Sequence, residues 1–227
     1  MDQPETVVEY AISALREAIR DGRLAQGQRL VVADVTKMLG VSNGPVREAI
    51  RRLTGEGLVA IAPHRGASVR ELTSRDVREI FEIREVLEGL AARLAAKHIA
   101  TRDYRRRLEA TVEDMRRAVE DGPKYVTHNQ NFHELICEMA ENERVREQSR
   151  QLTLPIYRFR YHYLMDPSYA RTSAAEHDRI AEAILDGDEV RAERFMRSHV
   201  RNSGAAMLQA LEANKPAHDR RFNRASS

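Results

Sequence analysis

The stretch "LGVSNGPVREAIRRLTGEGLVAIAPHRGASV", Leu39 to Val69, places an Arg-rich helical pattern directly after a Gly-Val-Ser turn. Ser42 is a favoured N-cap residue, and Pro45 falls in the first turn of the following helix, where a missing N–H does no harm. A short helical pattern from Ala33 precedes this turn and is closed by Gly40. The spacing of the two helices predicts a tight helix-turn-helix.

Two short β-prone runs follow the second helix, Leu58 to Ile61 and Ala67 to Val69. They predict a hairpin whose tip is Pro63-His64-Arg65-Gly66. Upstream, apolar residues at helical spacing predict an amphipathic helix from Val7 to Arg20. Residues 1–72 are therefore expected to form an N-terminal winged helix-turn-helix of three helices and a small β-hairpin.

The remainder of the chain shows helical periodicity and no strand signal. A boundary is expected near Leu72, because "TSRD" from Thr73 to Asp76 is typical of a capping box before a long helix. The predicted fold is mainly α, with an all-α helical bundle at 73–212 and a basic, disordered tail at 213–227. The predicted helices are Arg75–Ala100, Arg102–Glu120, Lys124–Ala140, Val145–Leu164, Ala174–Leu185 and Glu189–Leu211.

The composition limits the class of protein. The 227 residues are 32% charged and 5% aromatic, with no Trp, which favours a helix-rich protein over a β-sandwich. No apolar run approaches the roughly 20 residues needed to cross a bilayer, so no membrane partner is expected. The first residues lack the pattern of a secretory signal. The single cysteine, Cys137, excludes an internal disulfide framework, and a cytoplasmic location is expected.

Charge distribution is more informative than the net charge of +2. From Asn43 to Arg70 five Arg stand against two Glu, a local surplus of three positive charges. A helix fits the major groove, the groove in which each base pair has a distinct pattern of donors and acceptors. The residues expected to contact double-stranded DNA are Ser42, Asn43, Gly44, Pro45, Arg47 and Arg51 on the helix, and His64, Arg65 and Gly66 at the hairpin tip. A small helical domain with a solvated Arg face is the alternative.

Three histidines lie on the apolar stripes of three different predicted helices, namely His133, His177 and His199. Neutral imidazole is a common ligand of transition metals, and Asn129 stands one turn before His133. A divalent metal site is one interpretation; hydrogen-bonded core histidines are the other.

Arg84 interrupts an otherwise apolar stripe of the long helix after Thr73. Arginine suits bidentate carboxylate recognition, so Arg84 is a candidate to bind a carboxylate. The alternative is that Arg84 pairs with a buried Glu or extends to the rim of the domain. Arg160 and Tyr161 are weaker candidates for lining the same pocket.

The segment from Leu30 to Val69 closely resembles the winged helix-turn-helix of the bacterial GntR regulators. The all-helical remainder, with "IFEIREVLEGLAARLAA", "NFHELI" and "EHDRIAEAILDGD", resembles the FCD effector domain of the FadR subfamily. This resemblance implies a homodimeric repressor or activator whose operator affinity is changed by a small metabolite. It also implies that Asn129, His133, His177 and His199 match a metal-binding set in which Asp is the more usual first ligand. Zinc, nickel and manganese are all plausible ions.

One departure from the family pattern falls in the recognition turn, where Asn43 replaces the usual Arg. Asparagine can pair bidentately with adenine, so a changed operator preference is expected. Gln26 likewise stands where Pro is usual.

The function predicted from the sequence is a bacterial DNA-binding transcriptional regulator controlled by a carboxylate metabolite near a metal. A metal-dependent enzyme built on the three histidines is the alternative. Against an enzyme, no Glu-x-x-His pair facing inward and no His-Glu-x-x-His signature is present.

Overall fold

The computed structural model describes residues 6–153 and 166–213, which form nine helices and one two-stranded sheet. The chain divides into two compact units, with Met1–Leu72 in the first and Thr73–Leu152 in the second. The elements are α1 Val7–Arg20, α2 Val32–Leu39, α3 Asn43–Gly55, β1 Val59–Ala62, β2 Gly66–Val69, α4 Ser74–His98, α5 Tyr104–Arg117, α6 Gly122–Met139, α7 Glu143–Thr153, α8 Pro167–Leu185 and α9 Glu189–Ala213.

The first unit packs α1, α2 and α3 around an aliphatic core. Helix α1 begins with a complete capping box, in which Thr6 and Glu9 satisfy each other's backbone N–H groups. Leu15 on its apolar face and Leu53 on α3 are both fully buried members of one core cluster. A bidentate ion pair between Arg16 and Glu56, 2.8 Å at its shortest, joins α1 to the residue that ends α3.

The sheet is an antiparallel hairpin in which Val59 pairs with Val69 and Ala62 with Gly66. Backbone bonds from the segment before α2 extend it, because Leu30 N–H donates to Ala67 O over 2.8 Å. His64 at the tip has a φ of 61° and Gly66 a φ of 79°. Glycine adopts this left-handed conformation without the steric cost that other residues meet.

The second unit is a bundle in which α4 packs against α6, α8 and α9. The two longest helices, α4 and α9, approach closely: a Cβ built on Gly204 would lie 2.9 Å from Cγ of Phe81. The core of this unit also contains charged and polar side chains, among them Arg84 and Glu88. None of the helices in residues 6–153 and 166–213 combines the length and apolar character that crossing a membrane requires.

The mainly α fold with a winged helix-turn-helix is confirmed, and some predicted helix bounds were wrong. Helix α8 begins at Pro167 rather than at Ala174, because Asp166 caps it by accepting a hydrogen bond from the Ser168 N–H over 2.8 Å. Helix α5 begins at Tyr104 rather than at Arg102, which has a left-handed φ of 49°. The end of the predicted helix Val145–Leu164 and nearly all of the predicted tail lie outside the described residues.

Candidate nucleic-acid interface and candidate metal centre

Helix α3 presents its amino-terminal turn and its Arg side chains to solvent. Ser42 occupies the N-cap position, as expected, but its side chain makes no capping hydrogen bond. Asn43, Gly44 and Arg47 are exposed, whereas Val46 is fully buried and anchors the helix to the core. The exposed turn thus has free donors and acceptors of the kind that contact base edges and phosphates.

The side chain of Asn43 is oriented by the preceding helix. Thr36 Oγ1 on α2 donates a hydrogen bond to Asn43 Oδ1 over 3.0 Å. The second lone pair of Oδ1 and the two amide hydrogens stay available for other partners. The sequence predicts a DNA contact for Asn43 but gives no sign of its hydrogen bond to Thr36.

Two of the α3 arginines are already paired with an acid on the same helix. Arg51 donates to both carboxylate oxygens of Glu48, at 2.9 and 2.6 Å, and Arg52 donates to one of them over 3.1 Å. These hydrogen bonds lower the pKa of Glu48 to about 2, so the carboxyl is ionised at neutral pH. The negative charge of Glu48 therefore partly cancels the positive charge of this face. Arg47 makes no ion pair with the rest of the described chain.

The hairpin tip exposes His64, Arg65 and Gly66. Arg29 lies in a segment that the sequence predicts to be a turn, and it forms a backbone bridge with Ser68. Its guanidinium reaches the tip, since a Cβ on Gly66 would lie 3.8 Å from Nε and Nη2 of Arg29. Only the pairing of distant backbone segments brings this arginine to the wing.

The three candidate histidines converge in the interior of the second unit. Nε2 of His177 lies 3.4 Å from Nε2 of His133 and 3.1 Å from Nε2 of His199. All three rings are buried, and their ligand atoms lie within 4.8 Å of one another. Nitrogens bound at about 2.1 Å to one ion at angles of about 90 to 110° are roughly 3.0 to 3.4 Å apart. The three imidazoles and the two spacings from His177 therefore fit a transition-metal ion.

Two of the rings have a carboxylate at the opposite nitrogen. Nδ1 of His133 lies 2.8 Å from Oε2 of Glu88, and Nδ1 of His199 lies 2.7 Å from Oε2 of Glu176. Although burial acts to raise the pKa of Glu176, the hydrogen bonds from His199 and Asn202 hold that pKa below its usual value. When a carboxylate accepts from Nδ1–H, as Glu176 does from His199, the Nε2 atom of that ring carries the lone pair that a metal ion would bind. Neither glutamate was identified from the sequence.

Arg84 pairs with a buried Glu, which is the alternative that the sequence left open. Its Nε and Nη2 atoms each lie 2.7 Å from Oε1 of Glu88, and its guanidinium lies over the ring of Phe81. Nη1 of Arg84 is also buried and has no hydrogen-bond partner among the described residues. Arg84 thus reaches the histidine cluster through Glu88, and one of its donors remains unused.

Asn129 is buried on α6, one turn before His133. Cys137, one turn after His133, is also buried; burial, together with the nearby Glu88 charge, raises the pKa of its thiol to about 12. A thiol with this pKa is a poor thiolate ligand at neutral pH. The remaining effector candidates, Arg160 and Tyr161, lie outside the described residues.

Comparison with known families agrees with this architecture. Residues 8–69 match the family model of bacterial regulatory proteins of the gntR family, and residues 79–202 match the FCD domain. The chain belongs to the GntR family of bacterial transcriptional regulators. This GntR regulator is therefore a DNA-binding protein, and the family decides against the metal-dependent enzyme that the sequence left as the alternative.

Several relatives cover most of this GntR regulator. A probable D-xylose utilization operon transcriptional repressor of Paenarthrobacter nicotinovorans is 30% identical over 80% of this chain and 80% of its own. The HTH-type transcriptional repressor RspR of Escherichia coli is 29% identical over 93% and 92% of the two chains. The crystal structure of a putative GntR regulator from Rhodococcus sp. RHA1 is 28% identical, covers 89% of this chain and 98% of its own, and has a TM-score of 0.73.

Proposed function

We propose that this regulator binds a palindromic operator as a homodimer and that a small organic acid, bound beside a divalent metal ion in the FCD domain, changes its affinity for that operator. The observation that carries the ligand part of the proposal is the convergence of three buried Nε2 atoms beside a buried arginine with an unused donor.

In the DNA-binding unit, the proposed contacts are the first turn of α3 for the major groove and the hairpin tip for the adjacent minor groove. The solvent exposure of Asn43, Gly44, Arg47 and Arg65 supports these roles. Ser42 and Arg51 would bind phosphate, and Arg29 would add a positive charge beside the wing. Gly66 permits a close approach of the backbone to DNA. His64 shapes the hairpin turn, and Pro45 shapes the start of α3.

In the FCD domain, His133, His177 and His199 would hold the ion, with Asn129 as the fourth protein ligand. When bound, the ion supplies an open coordination position for a carboxylate oxygen. Glu88 and Glu176 orient two of the rings, and Arg84 Nη1 offers a charged donor to the same anion. Zinc, nickel and manganese all accept such ligands, and coupling of such a ligand to DNA affinity is typically about 1–3 kcal/mol.

The ligand proposal is tested by metal analysis and by thermal unfolding. The purified protein is expected to contain a stoichiometric divalent metal, and its Tm is expected to rise with a binding organic acid only when metal is present. Substituting His177→Ala should remove both the metal and the response, whereas His128→Ala, on the same helix as His133, should retain them. A metal-free protein that responds equally to organic acids would contradict the metal site.

The DNA proposal is tested by footprinting the intact protein on DNA neighbouring its gene. Arg47→Ala is expected to weaken binding by about 1–3 kcal/mol if Arg47 reads a base, with Arg117→Ala as a control in the second unit. Unchanged affinity of the Arg47 variant would remove this residue from the interface.

A further inference from the structure

Two buried serines lie one helical turn away from the histidine cluster. Ser173 stands four residues before His177 on α8, and Ser203 stands four residues after His199 on α9. Side chains four residues apart lie on the same face of a helix. Each serine therefore shares the inward face of its helix with a histidine, and the two are only 1% and 5% exposed.

The two serines lie at the same level of the bundle. His177 lies 3.1 Å from His199, and the hydroxyl of Tyr169 donates to Ser203 Oγ over 2.9 Å. These two contacts show that α8 and α9 run antiparallel. Ser173 lies midway between Tyr169 and His177 in the sequence, so it is level with the turn of α9 that connects their two partners.

Arg84 belongs to the same level of the bundle. Helices α4 and α9 also run antiparallel, because Gly204 lies against the ring of Phe81 and Arg201 pairs with Glu85 over 3.2 Å. These contacts place Arg84 level with the turn of α9 that carries the second serine. The serines and Arg84 thus form a second polar layer beside the histidine layer, defined here as the serine layer.

The hydroxyl group of Ser173 is buried without a partner. Its Oγ atom has no hydrogen-bond partner in residues 6–153 and 166–213. The neighbouring Thr172 shows the usual alternative for a hydroxyl on a helix, since its Oγ1 donates to the backbone oxygen of Ser168 over 3.1 Å. Burying a hydroxyl without a partner is unfavourable. The unused group therefore points to a ligand that supplies the partner.

We propose that the two serines bind a hydroxyl group of the organic acid, so that the ligand is a hydroxy acid with a hydroxyl on its third carbon or beyond. This inference rests on the acid-binding site of the proposed function and names the class of acid. Ser203 Oγ accepts from Tyr169 and keeps its own O–H as a donor, whereas Ser173 can donate and accept. A ligand hydroxyl can accept from Ser203 and donate to Ser173, which satisfies both serines at once.

The separation of the two layers sets the position of the hydroxyl on the ligand. One helical turn rises by about 5.4 Å. A hydroxyl on the second carbon is adjacent to the carboxylate and stays at the level of the ion, whereas one on the third carbon extends toward the serines. Arg84 spans the two layers, because it donates to Glu88 beside His133 and keeps a buried Nη1 without a partner among the described residues.

The proposal is tested by isothermal titration calorimetry of the zinc-loaded full chain with butyrate, 2-hydroxybutyrate and both enantiomers of 3-hydroxybutyrate. These acids share one carbon skeleton, so differences in affinity report on the hydroxyl. One enantiomer of 3-hydroxybutyrate is expected to bind about tenfold more tightly than butyrate, the effect of a hydrogen bond to a buried group. Equal affinities would overturn the hydroxyl site and leave the acid-binding proposal standing.

Substituting Ser173→Ala should reduce this preference to less than about twofold, while the affinities for butyrate and 2-hydroxybutyrate stay unchanged. The matched control is Ser198→Ala, because Ser198 is an exposed serine on α9 next to His199; it should keep the preference. Zinc content and Tm are measured without acid. The Ser173 variant is expected to bind zinc fully and to be at least as stable as the wild type, because it loses an unpaired buried hydroxyl.

The remaining outcomes separate this inference from the acid-binding site itself. A Ser173→Ala variant that keeps the preference, or that loses affinity for all the acids equally, would show that the hydroxyl is not bound there. Ser203→Ala provides a second variant and should reduce the same preference. If none of the acids binds to the zinc-loaded wild type, acid binding itself is wrong and the hydroxyl site is wrong with it.

Discussion

Oε2 of Glu88 lies 2.8 Å from Nδ1 of His133, while Oε1 of the same carboxylate lies 2.7 Å from the guanidinium of Arg84. One buried carboxylate thus joins the candidate anion-binding arginine to a candidate metal ligand. Removing one member of a buried charged pair leaves the other uncompensated, which typically costs about 3–5 kcal/mol. Under the proposed function, Glu88 would be a positioning residue for both the metal ion and the organic acid.

Substituting Glu88→Gln is expected to lower the affinity for zinc by about 10- to 100-fold, because it removes the negative charge that lies 2.8 Å from Nδ1 of His133. Competition with a chromophoric chelator measures the affinity. Glu82→Gln, which removes the same charge from an exposed position of α4, serves as the control. Equal affinities for the two variants would show that Glu88 does not orient the ligand.

Substituting Thr36→Val is expected to change which base is preferred opposite Asn43, because the hydrogen bond that orients the amide is lost. Discrimination at that one base pair should fall by up to about 1–3 kcal/mol, the range of a good bidentate contact. Binding to a set of operators that differ at single positions measures this. Thr36→Ser keeps a hydroxyl and should retain the preference; a loss in both variants would point to packing instead.

Substituting Glu48→Gln is expected to tighten binding to DNA of any sequence. The change removes a carboxylate whose low pKa keeps it charged beside Arg51 and Arg52, so the repulsion between this face and phosphate becomes weaker. Fluorescence anisotropy at low salt measures the effect, which should shrink as salt is raised. Glu113→Gln removes a similarly paired charge from α5, and the prediction fails if it tightens binding as much.

Substituting Gly204→Ala is expected to destabilise the protein by about 1–3 kcal/mol, because the added methyl group would overlap the Phe81 ring between α4 and α9. Urea unfolding followed by circular dichroism measures the change. Gly55→Ala adds the same methyl group where no atom lies within 4 Å, and this control should be close to neutral. A fully stable Gly204 variant would mean that the two helices separate easily.

Many residues of the candidate sites could be predicted from the sequence, because their positions depend on helix capping and on the spacing of apolar residues. Ser42, Asn43 and Arg47 are exposed as expected, since helix start signals and apolar spacing fix which side of α3 faces the core. The same periodicity placed His133 and His177 on inward faces. The sequence did not identify four residues whose partners lie on other elements: Arg29, Thr36, Glu88 and Glu176. Two of these, Glu88 and Glu176, lie at the Nδ1 atoms of His133 and His199.

By itself, the sequence determined the helix-turn-helix, the wing, the all-helical second unit and the inward direction of three histidines, because capping, turn chemistry and periodicity act over a few residues. Only the tertiary structure decided that His177 meets partners 44 and 22 residues away, and that Arg84 is held by Glu88. Which buried faces meet depends on how side chains from distant helices fill the space between them, as at Gly204 and Phe81. That packing is a property of the whole bundle and not of any one segment.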